Sequence, residues 1–139
     1  MYILKTEATF DSSHFLYGYD GKCRNLHGHT WKISAEICSD SLKSDGQCRG
    51  MIVDFGDLKS ELKNLADSFD HTLIYEKNTL KPETVNALKS ENFSLTEVEF
   101  RPTAENFAHH FFVKLTKKGF RVKRVYVYET PNNCAVYEE

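Results

Sequence analysis

The amino-acid sequence predicts an α+β fold: an antiparallel four-stranded sheet with two main helices on one face, in the chain order strand–strand–helix–helix–strand–strand. Three observations carry that expectation. Two stretches near the start, residues 2–14 and 27–37, alternate in the period of two that sends successive side chains to opposite faces of a strand. Two later stretches, 55–68 and 103–118, repeat apolar residues at the spacing of an amphipathic helix. From residue 120 onward the chain reads as strand, turn and strand.

In the first strand Leu4, Thr6, Ala8, Phe10, Ser12 and His14 share one face, and Ile3, Lys5, Glu7, Thr9 and Asp11 the more polar one. Residues 15–26 carry Gly18, Asp20, Gly21 and Lys22 and read as a loop. The odd positions His27, His29, Trp31, Ile33, Ala35 and Ile37 then make an inner face, opposite Thr30, Lys32, Ser34 and Glu36. Residues 39–50 are polar turn material, and Met51-Ile52-Val53 is a short strand-like run. Asp54 stands where a helix N-cap belongs, with Asp57 in the first turn, and both acids suit the helix dipole. Leu58, Leu62, Leu65 and Phe69 mark the buried stripe of that helix. Pro82 opens a short helix to Lys89, and residues 95–100 alternate as a short strand. Thr103 caps a helix running to about Lys118, with Gly119 at the position that favours glycine after a helix. Val125, Val127 and Glu129 share a face of the next strand, Pro131-Asn132-Asn133 turns the chain, and Cys134 to Tyr137 returns. A sheet covered on one side leaves a polar face and open edges, which assembly of several subunits would protect.

Length and composition narrow the function class. A chain of 139 residues is sized for one domain, residues 1–139, and 40% hydrophobic with 27% charged residues is the balance of a soluble globular protein. A net charge of −2 offers no basic field to nucleic acid. No apolar run approaches membrane-spanning length and the start lacks a signal-peptide pattern. A cytoplasmic protein with no nucleic-acid and no membrane partner is expected. Cys23, Cys38, Cys48 and Cys134 form no Cys-x-x-Cys pair. They read as free thiols in a reducing compartment, although an even count also fits two disulfides.

The chemistry concentrates in Cys23-Arg24-Asn25-Leu26-His27-Gly28-His29, read with His14. His27 and His29 project to one side of a strand, and His14 ends the inner face of another. If the two strands pair antiparallel across the loop of residues 15–26, three imidazoles meet at one end of the sheet. Three neutral imidazoles with a position left open form the ligand set of a catalytic zinc. Taken singly, His14 reads as a strand-end residue, Gly28 as a bend and Cys23 as a small buried residue; the agreement of spacing and strand phase favours the metal. Cys23 would lie beside the metal, where a thiol of lowered pKa serves as a proton acceptor. Asp70-His71 reads either as a helix end and turn or as a carboxylate orienting an imidazole. Glu129 closes an apolar face, either in solvent or in a pocket where it would suit a planar ligand with adjacent N–H donors. His109 and His110, adjacent in a helix, point in different directions and read as surface or packing residues.

Taken together these residues resemble the 6-pyruvoyl-tetrahydropterin synthase and 6-carboxytetrahydropterin synthase family over nearly the whole chain. The likeness lies in Phe10-Asp11-Ser12-Ser13-His14, Cys23-x3-His27-Gly28-His29, Val53-Asp54-Phe55, Asp70-His71, Pro102-Thr103-Ala104-Glu105-Asn106 and Tyr128-Glu129-Thr130, in that order. The resemblance implies the tunnelling fold, in which trimers close a β-barrel and two trimers stack as a homohexamer with sites between subunits. It implies that His14, His27 and His29 bind Zn2+, that Cys23 is the proton-abstracting thiolate, and that Asp70 and His71 are its relay partners. Glu129 would anchor the guanidine-like edge of a pterin, helped by Thr103 and Glu105, and residues near Ile52–Asp54 of a neighbouring subunit would touch it.

The implied substrate is 7,8-dihydroneopterin triphosphate. The compact loop before Cys23 and the run from Gly50 to Leu58 resemble the bacterial carboxy-forming members. The expected product is then 6-carboxy-5,6,7,8-tetrahydropterin, with acetaldehyde and triphosphate released, on the way to the deazaguanine of queuosine. The alternative is 6-pyruvoyl-tetrahydropterin, formed by triphosphate elimination without carbon–carbon cleavage. Two readings of other classes stand beside these: a non-catalytic metal or pterin-binding protein, and a zinc hydrolase whose activity would survive loss of the Cys23 thiol.

Overall fold

Thirteen consecutive antiparallel pairs, from Tyr2–Ser39 to His14–His27, join strand β1 (Tyr2–His14) to strand β2 (His27–Ser39) in a computed structural model that describes residues 1–139. The ladder holds this register because a slip of one residue would carry the inner face to solvent. That face is Phe10, Trp31, Ile33, Ala35 and Ile37, none more than 1% exposed. Helix α1 (Phe55–Asp67) follows, then β3 (Thr72–Glu76), α2 (Pro82–Ser90), β4 (Leu95–Val98), α3 (Ala104–Lys117), β5 (Val122–Thr130) and β6 (Asn133–Glu138).

The sheet is six-stranded and mixed, in the order β4-β3-β1-β2-β5-β6, with three helices, which corrects the expected four antiparallel strands and two main helices. β5 and β6 add antiparallel beside β2, whereas β3 runs parallel to β1 and β4 parallel to β3. Parallel neighbours need a crossover, which α1 and α2 supply. Thr72–Glu76 escaped the sequence reading because five residues directly after a helix end carry too little alternation to declare themselves. Its Ile74 and Tyr75 are nevertheless buried. Met51-Ile52-Val53 is a bend rather than a strand, and Ile52 and Val53 pack partly buried against the core. The other expected elements form within two residues of their predicted limits.

A core of 19 buried residues lies between the inner sheet face and helices α1 and α3. Leu58, Leu62 and Ala66 come from α1, and Phe107, Phe111 and Leu115 from α3. Trp31 stacks on Phe10 at 5.9 Å between ring centroids. Helix α2 buries none of its residues. Both main helices begin as predicted: Asp54 Oδ1 accepts from the Gly56 N–H at 2.6 Å, and Thr103 Oγ1 from the Asn106 N–H at 3.4 Å.

The second face of the sheet is polar and self-paired, with Lys32 over the Tyr128 ring and Glu36 against Arg124 and Tyr126. β3 covers the edge of β1 only at Ser12–His14, so no strand of the chain pairs on that edge between Tyr2 and Asp11.

Candidate metal centre and active site

The β1–β2 register sets His14 opposite His27 and Ser12 opposite His29. The three imidazoles lie on the inner face at one end of the ladder, with ring centroids 4.6 to 5.1 Å apart and ligand atoms within 4.8 Å of one another. Trp31 floors the cluster, 5.0 Å from His14 and 5.4 Å from His29. β2 runs straight through Gly28, where a Cβ would meet the Ser12 carbonyl at 3.3 Å. Glycine thus serves the close approach of the two strands rather than a bend.

The orientation of two of the rings follows from backbone carbonyls. Pro102 O lies 2.9 Å from His14 Nδ1, and Asn25 O lies 2.6 Å from His27 Nδ1. A carbonyl only accepts, so each Nδ1 carries the proton and each Nε2 presents its lone pair. The Nε2 atoms of His14, His27 and His29 are all buried and have no hydrogen-bond partner. Buried polar atoms without partners are rare, and three that converge fit a divalent cation. Burial pushes the His14 pKa down to about 4, against the opposing Pro102 hydrogen bond and with help from His27 and His29. Burial also lowers the His29 pKa, opposed by Glu129. Neutral imidazoles are the form that binds metal.

Of the two orientations open to it, Glu129 takes the one beside the histidine cluster, with Oε1 3.5 Å from His29 Nε2. It lines a small recess of about 230 Å³ together with Ala104, Glu105, Asn133, Cys134 and Ala135. Glu105 therefore stands in the same recess. The Thr103 hydroxyl is engaged as the cap of α3.

Asp70 and His71 form a fixed pair. Asp70 Oδ1 accepts the Asp11 N–H at 2.8 Å, and Oδ2 lies 2.8 Å from His71 Nδ1. His71 adopts a left-handed backbone (φ 55°), and its N–H donates to the Asp11 carbonyl at 2.6 Å. The hydrogen bond that His71 donates to the Asp70 carboxylate raises the His71 pKa. Donation from Asp11 and then from His71 holds the Asp70 carboxyl below its ordinary range. His71 lines a cavity of about 590 Å³ that also touches Gly28 and His29, and whose far wall is Leu73, Leu88, Phe93 and Leu95.

Cys23 is half-buried in a one-turn 3-10 helix, Lys22–Arg24, outside the group of converging ligand atoms, and all four cysteines are free. Asp54 lies beyond reach within one subunit. Val53 and Phe55 border a cleft with Tyr2, Ile3 and Leu4 at the opposite end of β1, roughly 30 Å from His14 at the rise of a strand. His110 packs among Phe69, Phe100 and Phe111, and His109 against Tyr137, both as packing residues. The carbonyls of Asn25 and Pro102 and the wall from α2 and β4 escaped sequence reasoning. A backbone acceptor leaves no side-chain signal, although Pro102 beside a capping Thr103 marks where the chain halts before α3. No helix is long and apolar enough to cross a membrane.

The model of the 6-pyruvoyl tetrahydropterin synthase family matches residues 3–139. The 6-carboxy-5,6,7,8-tetrahydropterin synthase of Haemophilus influenzae is 38% identical over 142 aligned residues, covering 100% of both chains. The protein of that name from Synechocystis is 32% identical over 84% of this chain and 98% of its own. Among solved structures, an uncharacterized protein from Wolinella succinogenes superposes with a TM-score of 0.77 at 22% identity, covering 99% of this chain and 98% of that one. The Caenorhabditis elegans 6-pyruvoyl tetrahydropterin synthase superposes with a TM-score of 0.66 at 24% identity, covering 100% and 97%. At those identities the structures establish a shared fold.

Proposed function

The chain belongs to the 6-pyruvoyl tetrahydropterin synthase family, and from that membership we propose that it is a zinc-dependent 6-carboxy-5,6,7,8-tetrahydropterin synthase. Its substrate is 7,8-dihydroneopterin triphosphate, and acetaldehyde and triphosphate are the other products, in the route to queuosine. The carrying observation is the convergence of three unpartnered Nε2 atoms, with the rings of His14 and His27 held by backbone carbonyls. The carboxy product is favoured over the 6-pyruvoyl one because relatives of the first name are 32–38% identical to the chain.

Zn2+ bound by His14, His27 and His29 would supply Lewis-acid stabilisation of negative charge on the substrate's side-chain oxygens. Cys23 Sγ takes the carbon-bound proton as thiolate. Asp70 holds His71 by Nδ1, which leaves Nε2 to accept and pass on a proton. The Glu129 carboxylate accepts paired N–H groups of the pterin edge, with Glu105 beside it and Thr103 at the helix start. Asp54, far from the histidines of its own subunit, acts from a neighbour. The unpaired edge of β1 and the outer edge of β6 support closure of a β-barrel between subunits, as a dimer of trimers working in the cytoplasm.

Mass spectrometry of the products from 7,8-dihydroneopterin triphosphate, with zinc-loaded wild type and Cys23→Ala, tests this reading. A 6-carboxytetrahydropterin mass with acetaldehyde, lost in Cys23→Ala, is expected. A 6-pyruvoyl product moves the protein to the other branch, and activity that survives in Cys23→Ala removes the thiolate mechanism. No turnover by wild type leaves a binding protein.

A further inference from the structure

Residues 15–26 carry the proposed base, and the loop closes on itself through few bonds. The Leu16 N–H donates to the Cys23 carbonyl at 2.9 Å, and the Tyr19 N–H to the Leu16 carbonyl at 3.3 Å. The Arg24 N–H donates to the Gly21 carbonyl at 3.2 Å, and the Asn25 N–H and Nδ2 donate to the Lys22 carbonyl at 3.0 Å. A further restraint comes from outside the loop. Arg101 Nη2 donates to the Tyr17 carbonyl at 3.1 Å, and the guanidinium lies 5.8 Å from the centroid of the Tyr19 ring. That ring in turn lies against Gly21, where a Cβ would come within 2.6 Å of Tyr19 Cε1. Gly21 immediately precedes the turn that holds Cys23.

Arg101 is itself firmly seated. Its carbonyl accepts from the Thr103 N–H at 2.7 Å and from Asn106 Nδ2 at 2.9 Å. Its Nε is buried and has no protein partner, so the base of the guanidinium is shielded from solvent. The next residue, Pro102, orients His14. One dipeptide therefore touches both the metal cluster and the loop of the thiol, and a planar guanidinium suits both the carbonyl and the ring.

We propose that Arg101 is a positioning residue that sets Cys23 against the histidine cluster through the Arg101–Tyr19–Gly21 stack. The proposal rests on the reading of Cys23 as the catalytic base. Arg101 does not touch the reacting atoms; it acts through the loop. A displacement of the thiol by about 1 Å is enough to cost up to about a hundredfold in rate.

The test uses zinc-loaded full-length protein with Arg101→Met, Arg101→Lys and Tyr19→Leu. Iodoacetamide alkylation of Cys23 at fixed pH is followed by peptide mass spectrometry, with exposed Cys134 as internal reference, beside bound metal, kcat and KM. Arg101→Met is expected to change the Cys23 rate several-fold while Cys134 and metal content stay constant. Its kcat should fall about tenfold to a hundredfold with KM nearly unchanged. Arg101→Lys should recover part of the loss, and Tyr19→Leu should reproduce it without touching the cation, including where Arg101→Met fails to fold. Unchanged Cys23 alkylation and kcat overturn the proposal, as does a raised KM at unchanged kcat, which would make Arg101 a binder of the triphosphate. If wild type does not turn the substrate over, the functional reading fails by itself, and the alkylation rates still decide whether Arg101 holds the loop.

Discussion

The same three residues, Ser12–His14, pair with β2 on one side and with β3 on the other, and the two sides are held by different means. Toward β2 the pairing continues for the whole strand and its inner face is sealed under α1 and α3. Toward β3 it stops after three pairs; β3 and β4 share four, and α2 between them buries nothing. The first region carries the metal ligands, where a slip in register would scatter the three imidazoles. The second supplies Leu73, Leu88, Phe93 and Leu95 to the cavity beside His71. Metal ligands and cavity wall are thus assigned to separate parts of the sheet, the first with the longer pairing.

The largest expected effect tests the first region. His14→Ala should weaken zinc binding by at least about a hundredfold, since even a partner that merely orients a ligand is worth about 10–100-fold. Competition with a chromogenic chelator reads this directly. Retained stoichiometric tight binding would show that the trio is not the metal site.

A pair of substitutions then compares the two regions in stability. Trp31→Ala, at 0% exposure, should cost about 3–5 kcal/mol, as removal of a core aromatic does. Leu88→Ala, half-buried on α2, should cost under about 1 kcal/mol. Urea midpoints of both variants measure the contrast, and equal losses would end it.

The same contrast explains what the sequence disclosed. The ladder was legible in detail because alternation of Phe10, Ser12 and His14 against His29 and Trp31 encodes both face and phase. The histidine cluster followed from it, as did the caps Asp54 and Thr103. β3 was not legible, because its place is decided by a short free edge of β1 and not by its own five residues. Asp70–His71 was legible only as a choice between a helix end and a carboxylate orienting an imidazole. Adjacent residues normally diverge, and only the left-handed backbone at His71 folds the ring back onto its neighbour's carboxylate. The carbonyls that aim the imidazoles belong to Asn25 and Pro102, whose side chains have no part in it.

The smallest expected contrast lies at the seam of the two regions. His110 of α3 packs 5.7 Å from Phe69, before β3, and 5.2 Å from Phe100, after β4. Burial, and then the neighbouring charges of Lys114 and His109, push its pKa from 6.5 to about 4. Between those values the unfolded chain binds a proton that the folded chain refuses, so stability is full above pH 6.5 and is lost as pH falls toward 4. Discounted for partial solvent screening, the loss is on the order of 1–2 kcal/mol. His110→Leu removes the titration, so the stability difference between wild type and variant should shift by that amount between pH 7 and pH 4.5. Because Phe69 and Phe100 bracket the β3–β4 segment, hydrogen exchange at low pH should quicken there before it quickens in β1 and β2. Uniform quickening would mean that the two sides of Ser12–His14 open as one unit, and that the wall of the cavity is as fixed as the metal ligands.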